Sequence, residues 1–296
     1  MDVKKELWDG GRFPVPLSCN PLTLFYPFTP ISLNILILYA IFNLCKYVVS
    51  PGPGCVRKVF PLLIDPILVL VLAAVIPAAL LLISVYRRDR IEKEPPRLLL
   101  SLVLYGILAT MIAMVLERLG SALLDSLLPP ESLLSDILLY FGIVAFAEEG
   151  GKYFLLKKRT WGIPDFNCLF DGVVYAVFVS LGFALWENIG YVFMYGLSTA
   201  LVRAVTAIPG HACFGVFMGC FYARAYARHL QGDEAGSRAS RALSLLVPAL
   251  LHGLYDFLAA GSKWYGGWPF LIFVAILFFY TRQKIRKLSG EDDFLA

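Results

Sequence analysis

The sequence predicts an all-α, polytopic membrane protein of about eight transmembrane helices, four consecutive ones forming the working core, and three observations predict it. Of the 296 residues, 58% are hydrophobic and only 16% charged, and the mean hydropathy is +0.71, which leaves no room for a sizeable soluble domain. Eight apolar runs, at about 31–50, 62–86, 98–119, 133–156, 170–195, 199–223, 242–260 and 265–281, each come near the ~20 residues that a helical crossing needs. Lys and Arg also alternate from one connection to the next: five in 87–97, none in 120–132, three in 157–169, none in 191–199 and four in 224–241. Basic loops stay on the cytoplasmic side, so both termini are expected in the cytoplasm, in a protein of the cell membrane. Arg57 and Lys58 break that alternation and make the first crossing the weakest element of the topology.

Residues 1–30 hold five prolines with Trp8, Phe25, Tyr26 and Phe28, a composition suited to an interfacial, non-helical segment and unlike a signal peptide. The next two runs, up to about residue 97, contain few polar groups and read as scaffold, with Asp65 at a boundary. The third run contains Glu117 and Arg118 near its end, read as snorkelling groups or a local pair. Residues 98–281 form the expected core region, and 282–296 a basic cytoplasmic tail. The six cysteines show no metal-binding spacing and read as buried small hydrophobes. No basic, aromatic-interleaved patch suggests nucleic acid, and the sequence is silent on oligomeric state.

The fourth run, LLSDILLYFGIVAFAEEGGKYFLL, carries Glu148, Glu149 and Lys152 at membrane depth. Each ionised side chain near the bilayer centre costs roughly 2.5–3.5 kcal/mol on insertion scales, so three within five positions point to a working site. Helical spacing of i,i+3 and i,i+4 lets one ammonium serve both carboxylates. Two carboxylates against one cation can hold a proton and act as general base or acid; the same three groups can also be a packing salt bridge. Gly150 and Gly151 permit close approach by a neighbour.

The next three runs add to this inventory. The fifth begins with Asp171 and carries Glu187 and Asn188 near its far end. Arg203 and His211 lie in the sixth, with Pro209 and Gly210 positioned to kink it, and the seventh places His252 and Asp256 at i,i+4 on one face. At 1.5 Å per residue, Glu148, His211, His252 and Glu187 fall at overlapping depths, roughly 22, 18, 12 and 9 Å from the outer boundary. Such a set can activate water against an amide and stabilise an oxyanion, hold zinc through Glu and two His, or relay protons and cations as a transporter. No internal repeat supports the transporter alternative.

EEGGK at 148–152, FDGVVYAVFVSLGFALWEN at 170–188, Arg203 with His211, and HGLYD at 252–256 occur in an order that resembles the PrsW family of intramembrane proteases. That family lies within a superfamily that includes the CAAX-processing prenyl-protein endopeptidases and the bacteriocin-immunity (Abi) proteins. The resemblance covers about residues 98–281. It implies an intramembrane endopeptidase acting on a single-span membrane protein, such as an anti-sigma factor in site-1-type regulated proteolysis. It also implies Glu148, Glu149, His211, His252 and Asp256 as catalytic residues, supported by Lys152, Glu187, Asn188 and Arg203. Two mechanisms stay open under it, glutamate-activated water or a metal such as zinc on Glu149, His211 and His252. Arg203 is expected to pair with Glu187 or Asp256. FALWE at 183–187 ends in Glu where the prenyl-protein branch has His, which favours the PrsW branch and leaves the role of Glu187 open. A non-catalytic Abi-type immunity or binding protein is the remaining alternative.

Overall fold

In a computed structural model of the chain, residues 66–89, 91–129 and 132–295 are described. Among them the protein is all-helical, with no strand and a single isolated bridge between Cys168 and Phe294. Six helical stretches are long and apolar enough to cross a membrane. They are α1 (Pro66–Arg88), α2 (Pro96–Leu127), α5 (Leu169–Tyr195), the consecutive pair α6 (Leu197–Val205) and α7 (Ala207–Leu230), α8 (Glu234–Tyr265) and α9 (Trp268–Gly290). Between α2 and α5 an unbroken helical path runs through α3 (Leu133–Ile137), a π-helical stretch (Leu138–Val144) and α4 (Ala145–Thr160). The charged fourth run lies on this path, no one segment of which reaches spanning length by itself. The expected first run at 31–50, with the segment before it, lies outside the described residues.

Helix α5 is the axis of the bundle, enclosed by α1, α2 and α7. It is less hydropathic than α1, yet far more of it is covered by protein. Lipid is as apolar as leucine, so inside a membrane close packing rather than hydrophobicity selects the central helix. Gly215 and Gly219, one turn apart on α7, provide that packing: a Cβ at Gly219 would overlap the Gly172 carbonyl, and one at Gly215 would lie 2.9 Å from the Ser180 side chain. A serine row on α8 does the same work toward α7 by hydrogen bonding. Ser237 Oγ donates to the Ala225 carbonyl at 2.8 Å, and Ser244 Oγ to that of Met218 at 2.9 Å.

The helices outrun the apolar runs that announce them. The basic segment 224–241 is helical except at its turn, because α7 continues to Leu230 and α8 starts at Glu234, capped by Asp233, whose Oδ1 accepts from the Gly236 amide at 2.8 Å. Residues 282–290 likewise extend α9, and 291–295 then dock on the start of α5. There the Leu295 amide donates to the Asn167 carbonyl at 2.6 Å and the Phe170 amide to Asp292 Oδ1 at 2.9 Å. Asp171 caps the same helix start, accepting from the amides of Cys168 and Asn167 at 2.6 and 3.0 Å.

The sixth run breaks at Thr206, three residues before Pro209. Proline lacks the N–H that would reach the carbonyl four residues back, at Val205, so the break falls where that bond is missing. The turn places His211 at the start of α7, beside the far end of α5.

Candidate active site

Helices α4, α5, α6, α7 and α8 bring the charged groups together. Lys152, fully enclosed, sits at the centre: its Nζ lies 3.1 Å from Glu148 Oε2, 2.8 Å from Glu149 Oε1 and 3.2 Å from His211 Nδ1, and 3.8 Å above the centre of the Phe183 ring. An ammonium has three donors and no acceptor, so these three contacts use all of them and make His211 Nδ1 an acceptor. The His211 proton then belongs on Nε2, which faces Glu187 Oε2 at 2.9 Å.

His252 meets a carboxylate at each ring nitrogen. Nδ1 is 2.9 Å from Glu149 Oε1 and 3.8 Å from Glu148 Oε2, while Nε2 is 3.3 Å from Asp256 Oδ2. Its ring stacks on Phe214 with centroids 4.8 Å apart and stands edge-on to His211 at 5.3 Å. The close approach of α8 to the π-helical stretch requires Gly253, since a Cβ there would come within 2.6 Å of the Phe141 ring. That stretch feeds directly into α4 and its glutamate pair. A π segment at this point fits the tendency of such widened turns to occur at functional sites.

Arg203 is held on three sides. Its Nη2 forms an ion pair with Glu187 Oε2 at 2.9 Å, its Nε donates to Asn188 Oδ1 at 3.0 Å, and the guanidinium lies 4.0 Å over the Tyr191 ring. Of the two expected partners, the geometry selects Glu187. Asn188 in turn donates to the Ala74 carbonyl at 3.0 Å, near Pro77 of α1. Glu187, left open by the sequence, is thus bonded to both His211 and Arg203.

These groups surround a cavity of about 530 Å³. Glu148, Glu187, His211, His252, Asp256 and Arg203 reach its wall, whereas Glu149 and Lys152 lie behind it. Within the glutamate pair, Glu148 therefore faces the space a substrate would enter, and Glu149 backs His252. The wall also contains Glu117, which the sequence reading placed at a helix boundary. Thr110, Met114 and Glu117 share its α2 side at i, i+4 and i+7.

One oxygen, Nδ or Nε atom from each of Glu148, Glu149, His211 and His252 lies within 4.8 Å of the other three, a group that can hold a metal ion. The donor set suits a borderline cation such as zinc. Glu149 Oε2 is buried with no hydrogen-bond partner, so one ligand atom is uncommitted, and the residues fit the ion once His211 Nδ1 exchanges the Lys152 ammonium for it. Cys213 and Cys220 are buried free thiols outside this group.

Comparisons with known proteins place the chain in a family. A family model described as "PrsW family intramembrane metalloprotease" matches residues 94–281. The chain is 32% identical over 223 residues to Protease PrsW of Bacillus subtilis (strain 168), covering 74% of this chain and 95% of that protein. It is also 32% identical over 223 residues to Protease PrsW of Geobacillus kaustophilus, covering 75% and 92%, and 33% identical over 226 residues to that of Halalkalibacterium halodurans, covering 76% and 98%. No solved structure matches. With its membrane-length helices, its buried Glu–Lys–His cluster and this similarity, the chain is an integral membrane protein that belongs to the PrsW family of intramembrane proteases.

Proposed function

We propose that this protease hydrolyses a peptide bond of a single-span membrane protein within the 530 Å³ cavity, with Glu148 as general base. The observation that carries the reading is the convergence of Glu148, His252 and His211 on one cavity wall, with Lys152 joining the first to the last. Glu148 takes a proton from water as the water attacks the scissile carbonyl, and returns it to the leaving amide nitrogen. His252 donates to the developing oxyanion, exchanging its 3.3 Å contact with Asp256 for the substrate oxygen. Glu149 orients His252, which Asp256 holds until the substrate arrives, Lys152 and Glu187 orient His211, and Asn188 steadies Arg203 against Glu187.

Zinc is the metal favoured for the site, with Glu149, His211 and His252 as its ligands, and when bound it would supply Lewis-acid activation of water. Metal content of the pure protein, measured beside activity with and without a chelator, separates this from a metal-free glutamate mechanism. An anti-sigma factor cut in site-1-type regulated proteolysis is the substrate class in view. The working arrangement is a cell-membrane protein of eight crossings with both termini cytoplasmic, built on the core of α4, α5, the α6–α7 pair and α8. Support for the orientation comes from the alternation of Lys and Arg among the loops.

Purified protein in detergent or liposomes, given a single-span substrate, should cut it. Glu149→Ala and His252→Ala should each abolish cleavage. Retained cleavage in both variants overturns the assignment.

A further inference from the structure

Among the described residues, every carboxylate on the cavity wall except one has a nitrogen partner. Glu148 pairs with Lys152, Glu187 with Arg203 and His211, and Asp256 with His252. Glu117 of α2 reaches the same wall half-buried, and no hydrogen bond or ion pair joins it to a described residue. The charged groups that act on it are those of the site, Glu187 and Asp256 repelling, His252 and Lys152 attracting. Among the described residues of the wall, four carboxylates face two imidazoles and one guanidinium that is already engaged.

A half-buried carboxylate without a partner is costly to ionise and keeps its proton unless something cationic joins it. Glu117 lies outside the four-residue group that can hold a metal ion, so that ion does not meet the need. The proposed reaction brings a peptide segment into this cavity, and the cationic groups a peptide carries are Lys and Arg side chains, which reach past apolar surface to a charge. We propose that Glu117 is a specificity-determining residue that receives a Lys or Arg side chain of the substrate close to the scissile bond. This rests on the protease reading above and deepens it by naming the substrate's recognition chemistry. Partly desolvated pairing of this kind discriminates against an uncharged side chain on the order of 10- to 100-fold in kcat/KM.

The test is a library of single-span substrates in liposomes. Each position flanking the cut is set in turn to Lys, Arg, Gln or Glu, and products are identified by mass spectrometry. The unaltered protein should cut Lys- or Arg-bearing members on the order of 10- to 100-fold faster than Gln members at one position, with Glu members slowest. In Glu117→Gln that ratio should collapse toward one, and in Glu117→Lys the order should reverse in favour of Glu. Equal cutting of Lys and Gln members by the unaltered protein overturns the proposal without any variant. An undiminished ratio in Glu117→Gln moves the recognition to another residue and overturns it too. If the unaltered protein cuts no member, the protease reading itself fails, and this proposal with it.

Discussion

Two regions of this protein bury carboxylates, and they treat them differently. Around Lys152, each of Glu148, Glu149, Glu187 and Asp256 faces an ammonium, a guanidinium or an imidazole, and most reach a cavity. At the start of α5, Asp171 and Asp292 are instead held by backbone amides, and Glu94 by the Tyr175 hydroxyl at 2.8 Å. Asp89, nearby, has two buried oxygens with no hydrogen-bond partner, and the Lys93 ammonium donates to its backbone carbonyl rather than to its carboxylate. Amides and a hydroxyl fix the ends of helices without moving protons. Imidazoles and an ammonium around a cavity can exchange partners when a substrate arrives. Burial of charge alone therefore does not mark the working site; the chemistry of the partner does.

The largest difference between the regions should appear in cleavage. Glu148→Gln keeps the size of the side chain and removes the base, so the cleavage rate in liposomes should fall by about 10²-fold or more. Asp171→Asn loses part of a helix cap, about 1 kcal/mol of stability, with cleavage changed far less than in Glu148→Gln. Equal rate losses in the two variants would erase the distinction. Next in size, Lys152→Met leaves Glu148 and Glu149 buried without their shared cation. Breaking a buried pair in this way costs about 3–5 kcal/mol, read as a marked drop in Tm. An unchanged Tm would mean that the ammonium contributes nothing to holding the pair.

Much of the first region was legible because intramembrane charge is rare and expensive. EEGGK, WEN, Arg203 with His211, and HGLYD stand out of apolar runs, and all their charged members meet in the structure. Glu117 was missed because it lies near the end of its run beside Arg118, where snorkelling is the usual explanation. Of the second region, only Asp171 stood out of its run. Glu94 sits in a charged loop and Asp292 in a basic tail; the Tyr175 hydroxyl holds the first to α5, and the docking of residues 291–295 brings the second to its start. Nor does hydropathy announce the π-helical stretch at Leu138–Val144, since it depends on the seat that Gly253 leaves for Phe141. Gly253→Ala should overpack that seat at about 1–3 kcal/mol and move His252 relative to Glu149. Its rate loss should then exceed that of Gly267→Ala, a glycine with open space around it; equal rates would detach the π stretch from the site.

The smallest effect belongs to the second region and depends on pH. Glu94 lies in the connection between α1 and α2, outside the spans. Burial pushes its carboxyl well above the ordinary range, the hydrogen bond from Tyr175 opposes this, and the neighbouring Asp171 and Asp89 carboxylates add to it. The folded protein therefore keeps a proton that the unfolded chain releases, and stability falls as pH rises from the unfolded value toward the folded one. Glu94→Gln has no proton to lose at this position. Its Tm relative to the unaltered protein should rise steadily between pH 5 and pH 8, measured by intrinsic tryptophan fluorescence. The opposite slope would mean that Glu94 is ionised in the fold, and the contrast between the two regions would close.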